Sequence, residues 1–502
     1  MPLETAEGSD AMMEPTNLLL IMSDEHNPQM LGCAGHDRVQ TPHLDALAAR
    51  GTRFAAAYTP CPICVPARAS FATGRYVHAI AYWDNAMAYD GRIKSWGHRL
   101  QEAGIRVESI GKLHYRQQAD QTGFDQQHIP MHITDGIGMV QGSIRGQFPD
   151  FQPPQGRSPS GGIVPGAGPG ETTYTRYDRK IADLACGWLR DAGARPHRTP
   201  WVLFVSFVSP HFPLVVPDAY FRLYPVDDMP LPKLDPTTGF APHPWSARLT
   251  RQHADPEVTR AMKQRAVAAY LGLCTFVDAQ IGRVLQALAS SDLADRTRVV
   301  YTSDHGENAG ARGMWGKSVP YAEATGIPLI MAGAGVPAGK VCTTPVTLVD
   351  AYPTVLETVG LEQTTEQGLP GRSLYVTAQA DDDPERLAFS EYHAAGSPSG
   401  AFMLRQGRYK LHYYVGYTPE LFDIVDDLEE TRNLAGAPAY AAVVRDYEQR
   451  LRAMVDPEAI DARAKADQKA LVERHGGPAA VMAKLSGGKN FTEVPPEVVA
   501  VL

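Results

Sequence analysis

A cysteine at position 64 stands in the run Cys64-Val65-Pro66-Ala67-Arg68, and the segment closes on Thr73-Gly74-Arg75. A helix opening near Pro66 points its free N–H groups and positive dipole end at residue 64, which favours an anion there. Proline suits that first turn because its missing N–H would have had no partner. Arg68, about one turn on, can reach back to the same point as a fixed positive fork. The preceding Cys61-Pro62-Ile63 also makes a C-x-x-C pattern, which serves redox chemistry or zinc. Zinc needs about four ligands, and no second C-x-x-C or nearby pair of histidines supplies them. A dithiol pair at a helix N-terminus stays open as an alternative. Redox chemistry explains neither Pro66, Arg68 nor the Thr-Gly-Arg closure, and Cys61 itself reads as structural.

Four apolar runs end in titratable residues. Residues 17–22 lead to Asp24 and Glu25, and residues 106–110 to Gly-Lys112-Leu-His114. Residues 201–208 lead to Ser-Pro-His211, and residues 298–302 to Ser-Asp304-His305-Gly-Glu307. Each run reads as a buried parallel strand. Helical patterns at 42–50, 95–103, 174–192 and 256–290 lie between them. Alternating strands and helices imply a mostly parallel sheet covered on both faces, with ligands at the carboxyl ends of its strands. Carboxylates from two strand ends can cage a hard divalent cation. Taken singly, Asp304 reads as a helix cap, Glu25 as a solvated loop residue, a lone His as structural and a lone Lys as surface. Together with Lys317 in Met-Trp-Gly-Lys, these residues form one constellation suited to a substrate carrying spread negative charge.

The motifs at 64–75, 112–114, 209–213 and 302–307 resemble those of the type I sulfatases of the alkaline phosphatase superfamily, nearest the choline-sulfatase and phosphonate monoester hydrolase branch. The resemblance covers residues 17–435. It implies that Cys64 is oxidised to Cα-formylglycine by a formylglycine-generating enzyme, and that the aldehyde hydrate is the nucleophile. It implies one divalent metal (Ca²⁺, with Mg²⁺ or Mn²⁺ as alternatives) held by Asp24, Glu25, Asp304, His305 and the oxidised Cys64. Glu25 departs from the family's commoner Asp. Arg68 and Lys112 then hold the nucleophile and its charge, His211 or Lys317 protonates the leaving oxygen, and His114 takes the proton of the sulfated intermediate's second hydroxyl as sulfate is expelled. Asn85, in Tyr-Trp-Asp-Asn85, resembles a substrate-contacting Asn of that branch, against a plain reading as an Asx-turn residue. Trp83, Trp96, Trp201 and Trp315 read as core, and His26, His78 and His98 receive no role.

The expected activity is hydrolysis of an aryl or small alkyl sulfate to alcohol and sulfate. The alternatives are a phosphonate monoester or phosphodiester hydrolase on the same site, a silent sulfate-ester-binding homologue, and a dithiol redox protein. The chain has 502 residues, 44% hydrophobic and 21% charged, with a net charge of −9, so no basic footprint for nucleic acid exists. No apolar run approaches a membrane span. Six scattered cysteines and no signal-like N-terminus suggest a reducing cytoplasm. The expected fold is α/β: a large, mostly parallel sheet sandwiched by helices, alkaline phosphatase-like by resemblance, with a smaller C-terminal α+β subdomain. The boundary falls near residue 383. Residues 1–383 form the catalytic domain, and 384–502 carry a small antiparallel sheet, a helix and an extended tail that could help build a homo-oligomer. Residues 148–170, rich in Pro, Gly and Ser, read as an irregular loop at the rim of the site.

Overall fold

The computed structural model describes residues 15–148, 163–195, 199–253, 258–362, 368–485 and 493–499. Its main sheet has eight strands: β1 (Asn17–Asp24), β2 (Gly51–Phe54), β3 (Arg106–Lys112), β4 (Gln126–Met131), β5 (Trp201–Pro210), β6 (Thr297–Ser303), β7 (Leu329–Gly333) and β8 (Lys340–Cys342). They lie in the order β8-β2-β7-β6-β1-β5-β3-β4. Only β7 runs against the rest, pairing antiparallel with both β6 and β2. The four apolar runs read from the sequence are thus β6, β1, β5 and β3, four consecutive neighbours, and their titratable ends share one edge.

Alternate residues of these strands enter two different cores. Leu18, Leu20, Met22, Val202, Phe204 and Val300 face one side. Leu19, Ile21, Leu203, Val205, Val299 and Tyr301 face the other. Both faces are dry, which is why the runs read as continuous rather than alternating.

The helices that matter for the site are α1 (Pro42–Ala49), α2 (Cys64–Thr73), α3 (Thr173–Ala194), α4 (Arg260–Ala289), α5 (Ala351–Thr358), α6 (Ala441–Met454) and α7 (Pro457–Arg474). The long helix begins at Arg260 rather than near 256, because the Thr259 side chain accepts the Met262 N–H and caps it there. The C-terminal sheet, β9 (Ala388–Tyr392), β10 (Ala401–Gln406), β11 (Tyr409–Tyr414) and β12 (Glu420–Asp423), is an antiparallel meander, as expected. The tail differs from the expectation. Instead of extending away, residues 457–474 form α7, capped by Asp456, whose side chain accepts the Ala459 N–H. Its Ala464 packs in one cluster with Trp83 and Trp245. Of the expected rim loop, residues 149–162 lie outside the described residues. Among the described residues, no helix is long and apolar enough to cross a membrane.

Near the sheet edge, Glu108 of β3 ties β4 and α3 together. Burial pushes its carboxyl up, but hydrogen bonds from His128 Nε2 (2.7 Å), Trp188 Nε1 (2.9 Å) and Arg106 Nε (2.5 Å) outweigh this and hold it at about 2. A depressed carboxyl contributes stability above its unfolded value and loses it as pH falls. For Glu108 the loss runs from pH about 4.5 down toward 2. Glu108→Gln should therefore flatten the acid limb of a stability profile over that window, read as denaturant midpoints in a pH series. An unchanged slope would show that the three donors contribute nothing.

Candidate active site

Helix α2 begins at Cys64 itself, and all ten of its residues are buried. It ends at Gly74, whose left-handed φ of 66° closes the last turn. A Cβ there would come within 2.7 Å of Tyr352, so the Thr-Gly-Arg closure reflects both conformation and space. Gly111, with φ 101°, has the same necessity. A Cβ would sit 2.2 Å from the Ser206 carbonyl, and at this point the register of β3 shifts to turn Lys112 into the site.

The side chains converge from the strand ends. Cys64 Sγ lies 3.1 Å from His305 Nε2 and 3.7 Å from Asp24 Oδ1. Arg68 donates from Nε to Asp304 Oδ2 (2.7 Å) and from Nη2 to Asp24 Oδ2 (3.1 Å). Its Nη1 donates to the Lys112 carbonyl (2.8 Å) and Ser206 Oγ (3.0 Å). Lys112 Nζ stands 2.6 Å from Asp24 Oδ2. Lys317 Nζ lies 2.6 Å from Glu25 Oε2, and His211 Nε2 lies 3.2 Å from the same oxygen. All of these groups are buried except Lys317, which is of intermediate burial with its side chain 9% exposed.

Burial opposes the charge on Asp24, but the Lys112 and Arg68 cations outweigh it and hold the carboxyl well below its usual range. Lys317 is likewise opposed by burial, yet the carboxyl groups of Glu25 and Asp24 keep it above its ordinary value, so it carries its proton. His211 and His114 go the other way. Burial first, then Lys317 for His211 and Lys112 for His114, holds both rings neutral. The Cys64 thiol is pushed up to about 12 by burial and then by Asp24, against the pull of Lys317 and Lys112. A thiol there is no thiolate at neutral pH. Cys61 is pushed up as well, again first by burial, and both cysteines are free. Activated redox cysteines show the opposite shift.

A divalent cation fits this donor set. His305 Nδ1 lies 3.0 Å from the Gly306 carbonyl, which can only accept, so Nδ1 carries a proton and Nε2 is the ring atom able to offer a lone pair inward. Asp24 Oδ1 and Asp304 Oδ1 stand 3.9 and 3.7 Å from that nitrogen. Arg68 and Lys112 neutralise the outer Oδ2 atoms, leaving two inner oxygens and a nitrogen lone pair converging beside Cys64. One donor atom each from Asp24, Cys64, Asp304 and His305 lies within 4.8 Å of every other. Asp24, Glu25 and His211 form a second such group, so Glu25 faces His211 and Lys317 and is not grouped with Asp304.

Asn85 is 5% exposed, and its Oδ1 accepts the Val65 N–H at 3.2 Å. The three unassigned histidines are structural. His26 is hydrogen-bonded at both nitrogens, His78 pairs with Glu391, and His98 closes a capping box with Ser95. The four tryptophans are buried, as expected. Two contributors escaped the sequence reading. Ser206 was visible only as one polar residue in an apolar run. Glu307 lay inside the quoted Asp304 cluster, and its Oε1 accepts the Ala309 and Gly316 N–H groups (both 2.7 Å), shaping the loop that carries Lys317.

The Sulfatase family profile matches residues 16–361, which contain every strand-end group described above, and an N-sulphoglucosamine sulphohydrolase C-terminal profile matches residues 310–456. The chain belongs to the sulfatase family. A choline-sulfatase of Rhizobium meliloti (strain 1021) is 30% identical over 467 residues, covering 90% of this chain and 89% of that protein. Arylsulfatase K of Canis lupus familiaris is 26% identical, covering 95% and 88%. Among solved structures, the phosphonate monoester hydrolase of Agrobacterium radiobacter superposes with a TM-score of 0.70 at 25% identity, over 89% of this chain and 96% of that one. The sulfatase is accordingly a sulfuric ester hydrolase with the expected α/β architecture.

Proposed function

We propose that this sulfatase hydrolyses an aryl or small alkyl sulfate monoester with a formylglycine made from Cys64 and one divalent cation beside it. The convergence of Asp24 Oδ1, Asp304 Oδ1 and the His305 Nε2 lone pair on Cys64 carries the reading. Asp24, Asp304, His305 and residue 64 would hold the cation, with Ca²⁺ favoured by the carboxylate oxygens. Such a cation supplies Lewis-acid stabilisation of anionic oxygen, and a formylglycine hydrate supplies a nucleophilic hydroxyl where a buried thiol of high pKa cannot.

The protein's own groups do the rest. Arg68 is fixed by four hydrogen bonds and keeps positive charge behind residue 64. Lys112 does the same from the Asp24 side. Lys317 retains its proton and lies beside His211, so it is placed to donate to a departing alkoxide. His114, neutral and buried, suits a proton acceptor. Asn85 remains a candidate substrate contact through its amide nitrogen, its oxygen being held by Val65.

Hydrolysis of a phosphonate monoester or phosphodiester is the second reading, supported by the two phosphonate monoester hydrolases that superpose at a TM-score of 0.70. Parallel kcat/KM values on 4-nitrophenyl sulfate, choline sulfate and a phenyl phosphonate monoester separate the two. The sulfate-first reading expects at least about tenfold preference for one of the sulfates. A higher value on the phosphonate would overturn it. The cytoplasm is the proposed compartment, supported by six free cysteines. A homo-oligomer is the proposed assembly, for which the exposed Val425 and Leu428 are candidate contacts. A formylglycine-generating enzyme is the proposed maturation partner.

A further inference from the structure

The turn at Trp83-Asp84-Asn85 is held from the far end of the chain. Gln468 of α7 is wholly buried. Its Oε1 accepts from Arg145 Nη1 (2.9 Å), and its Nε2 donates to Asp84 Oδ2 (2.9 Å) and the His393 carbonyl (2.7 Å). Because a guanidinium only donates and a carbonyl only accepts, these partners fix which end of the Gln468 amide is oxygen. Arg145 is anchored to the same helix through Nη2 and Asp461 Oδ1 (3.0 Å), and to the Ser397 carbonyl through Nε (3.1 Å). Asp84 Oδ2 also receives Ser143 Oγ (2.5 Å), while its Oδ1 accepts the Ala86 N–H (2.9 Å). Trp83 Nε1 donates to Asp467 Oδ2 (2.8 Å), a second clasp from α7.

The next residue, Asn85, accepts the N–H of Val65, directly beside Cys64. Helix α2 has no side-chain cap of its own at Ile63. Pro66 offers no N–H, so Asn85 is the side chain that grips the first turn. A buried path therefore runs from α7 by hydrogen bond to Asp84, along the chain to Asn85, and by hydrogen bond to the N–H of Val65, next to residue 64. Mere packing would be served as well by apolar residues of the same volume. A fully satisfied buried network instead selects one arrangement.

We propose that Gln468 is a positioning residue of the active site. Acting through Asp84 and Asn85, it sets the direction of the Cys64–Val65 turn and so of the reacting group. The inference rests on the sulfatase reading above. It also makes α7 part of the working enzyme, although α7 lies beyond both matched family segments.

Two variants test it. Gln468→Met keeps the volume and removes the hydrogen bonds. Ser143→Ala removes a donor to the same Asp84 oxygen from a different segment, so it reads the network even where Gln468→Met fails to fold. Both should lower kcat about tenfold on the ester the wild type hydrolyses, with KM within about twofold, since small misplacements cost rate rather than binding. In hydrogen exchange, the peptide containing residues 62–68 should lose protection while peptides from β1 and β5 keep theirs. Wild-type kcat with unchanged exchange in the folded variants overturns the proposal, as does exchange that rises equally across the main sheet. A wild-type enzyme that turns over no sulfate ester counts against the functional reading alone, and the exchange comparison then still decides the placement.

Discussion

Cys64→Ala should abolish turnover, lowering kcat by about 10⁴-fold or more, because covalent catalysis fails as a unit when its nucleophile is removed. The fold should survive. Alanine is a better helix former than cysteine, and the side chain lost is small. The matching observation on the wild type is a mass spectrum of the peptide ending at Arg68. It should show sulfur lost and oxygen gained at residue 64. An intact thiol in fully active enzyme would overturn the proposed nucleophile. Retained turnover in Cys64→Ala would do so as well. A catalytically silent binding protein would instead show no turnover in either form.

Asp24→Asn is expected to be the most damaging isosteric change in the protein. Asp24 is wholly buried and touches both Arg68 (3.1 Å) and Lys112 (2.6 Å). Removing its charge leaves two buried cations with half their compensation. Breaking a buried pair from one side costs about 3–5 kcal/mol. The same substitution takes one carboxylate from the cation donors, so metal content per chain should fall along with kcat. Denaturant midpoints and elemental analysis of dialysed protein measure the two effects separately. A variant of wild-type stability and metal content would show that Asp24 neither balances the cations nor binds the ion.

The strand ends were legible because buried parallel strands must be apolar, so a titratable residue at the end of such a run has a location as well as a chemistry. Asp24, Lys112, His211 and Asp304 were found that way, and they share one edge. Strand β7, running the other way, carries the same apolar texture and gives no sign of its direction. Glu25 illustrates a different limit. Adjacency to Asp24 suggested a shared ion, and the structure groups Glu25 with Asp24 and His211 rather than with Asp304, its Oε2 meeting His211 and Lys317. The Asp84–Gln468 bond joins residues 384 positions apart. Neither residue carries a pattern by itself, so only folding reveals the pair. The tail after residue 456 read as extended because α7 is polar around most of its surface, and its buried face uses Asp461 and Gln468 rather than a stripe of leucines.

Strand β1 is the first strand among the described residues, yet it lies at the centre of the sheet between β5 and β6. Its neighbours begin at Trp201 and Thr297, so during synthesis the first strand waits for most of the catalytic domain to emerge. Until β6 arrives, Asp304 and His305 are absent and helix α2 has no finished pocket to enter. Throughout that interval residue 64 would be open to the proposed maturation partner. Once the sheet closes, Cys64 is 1% exposed and out of reach. Under the proposed conversion of Cys64, the strand order would work as a clock, giving maturation of the nucleophile a beginning and an end.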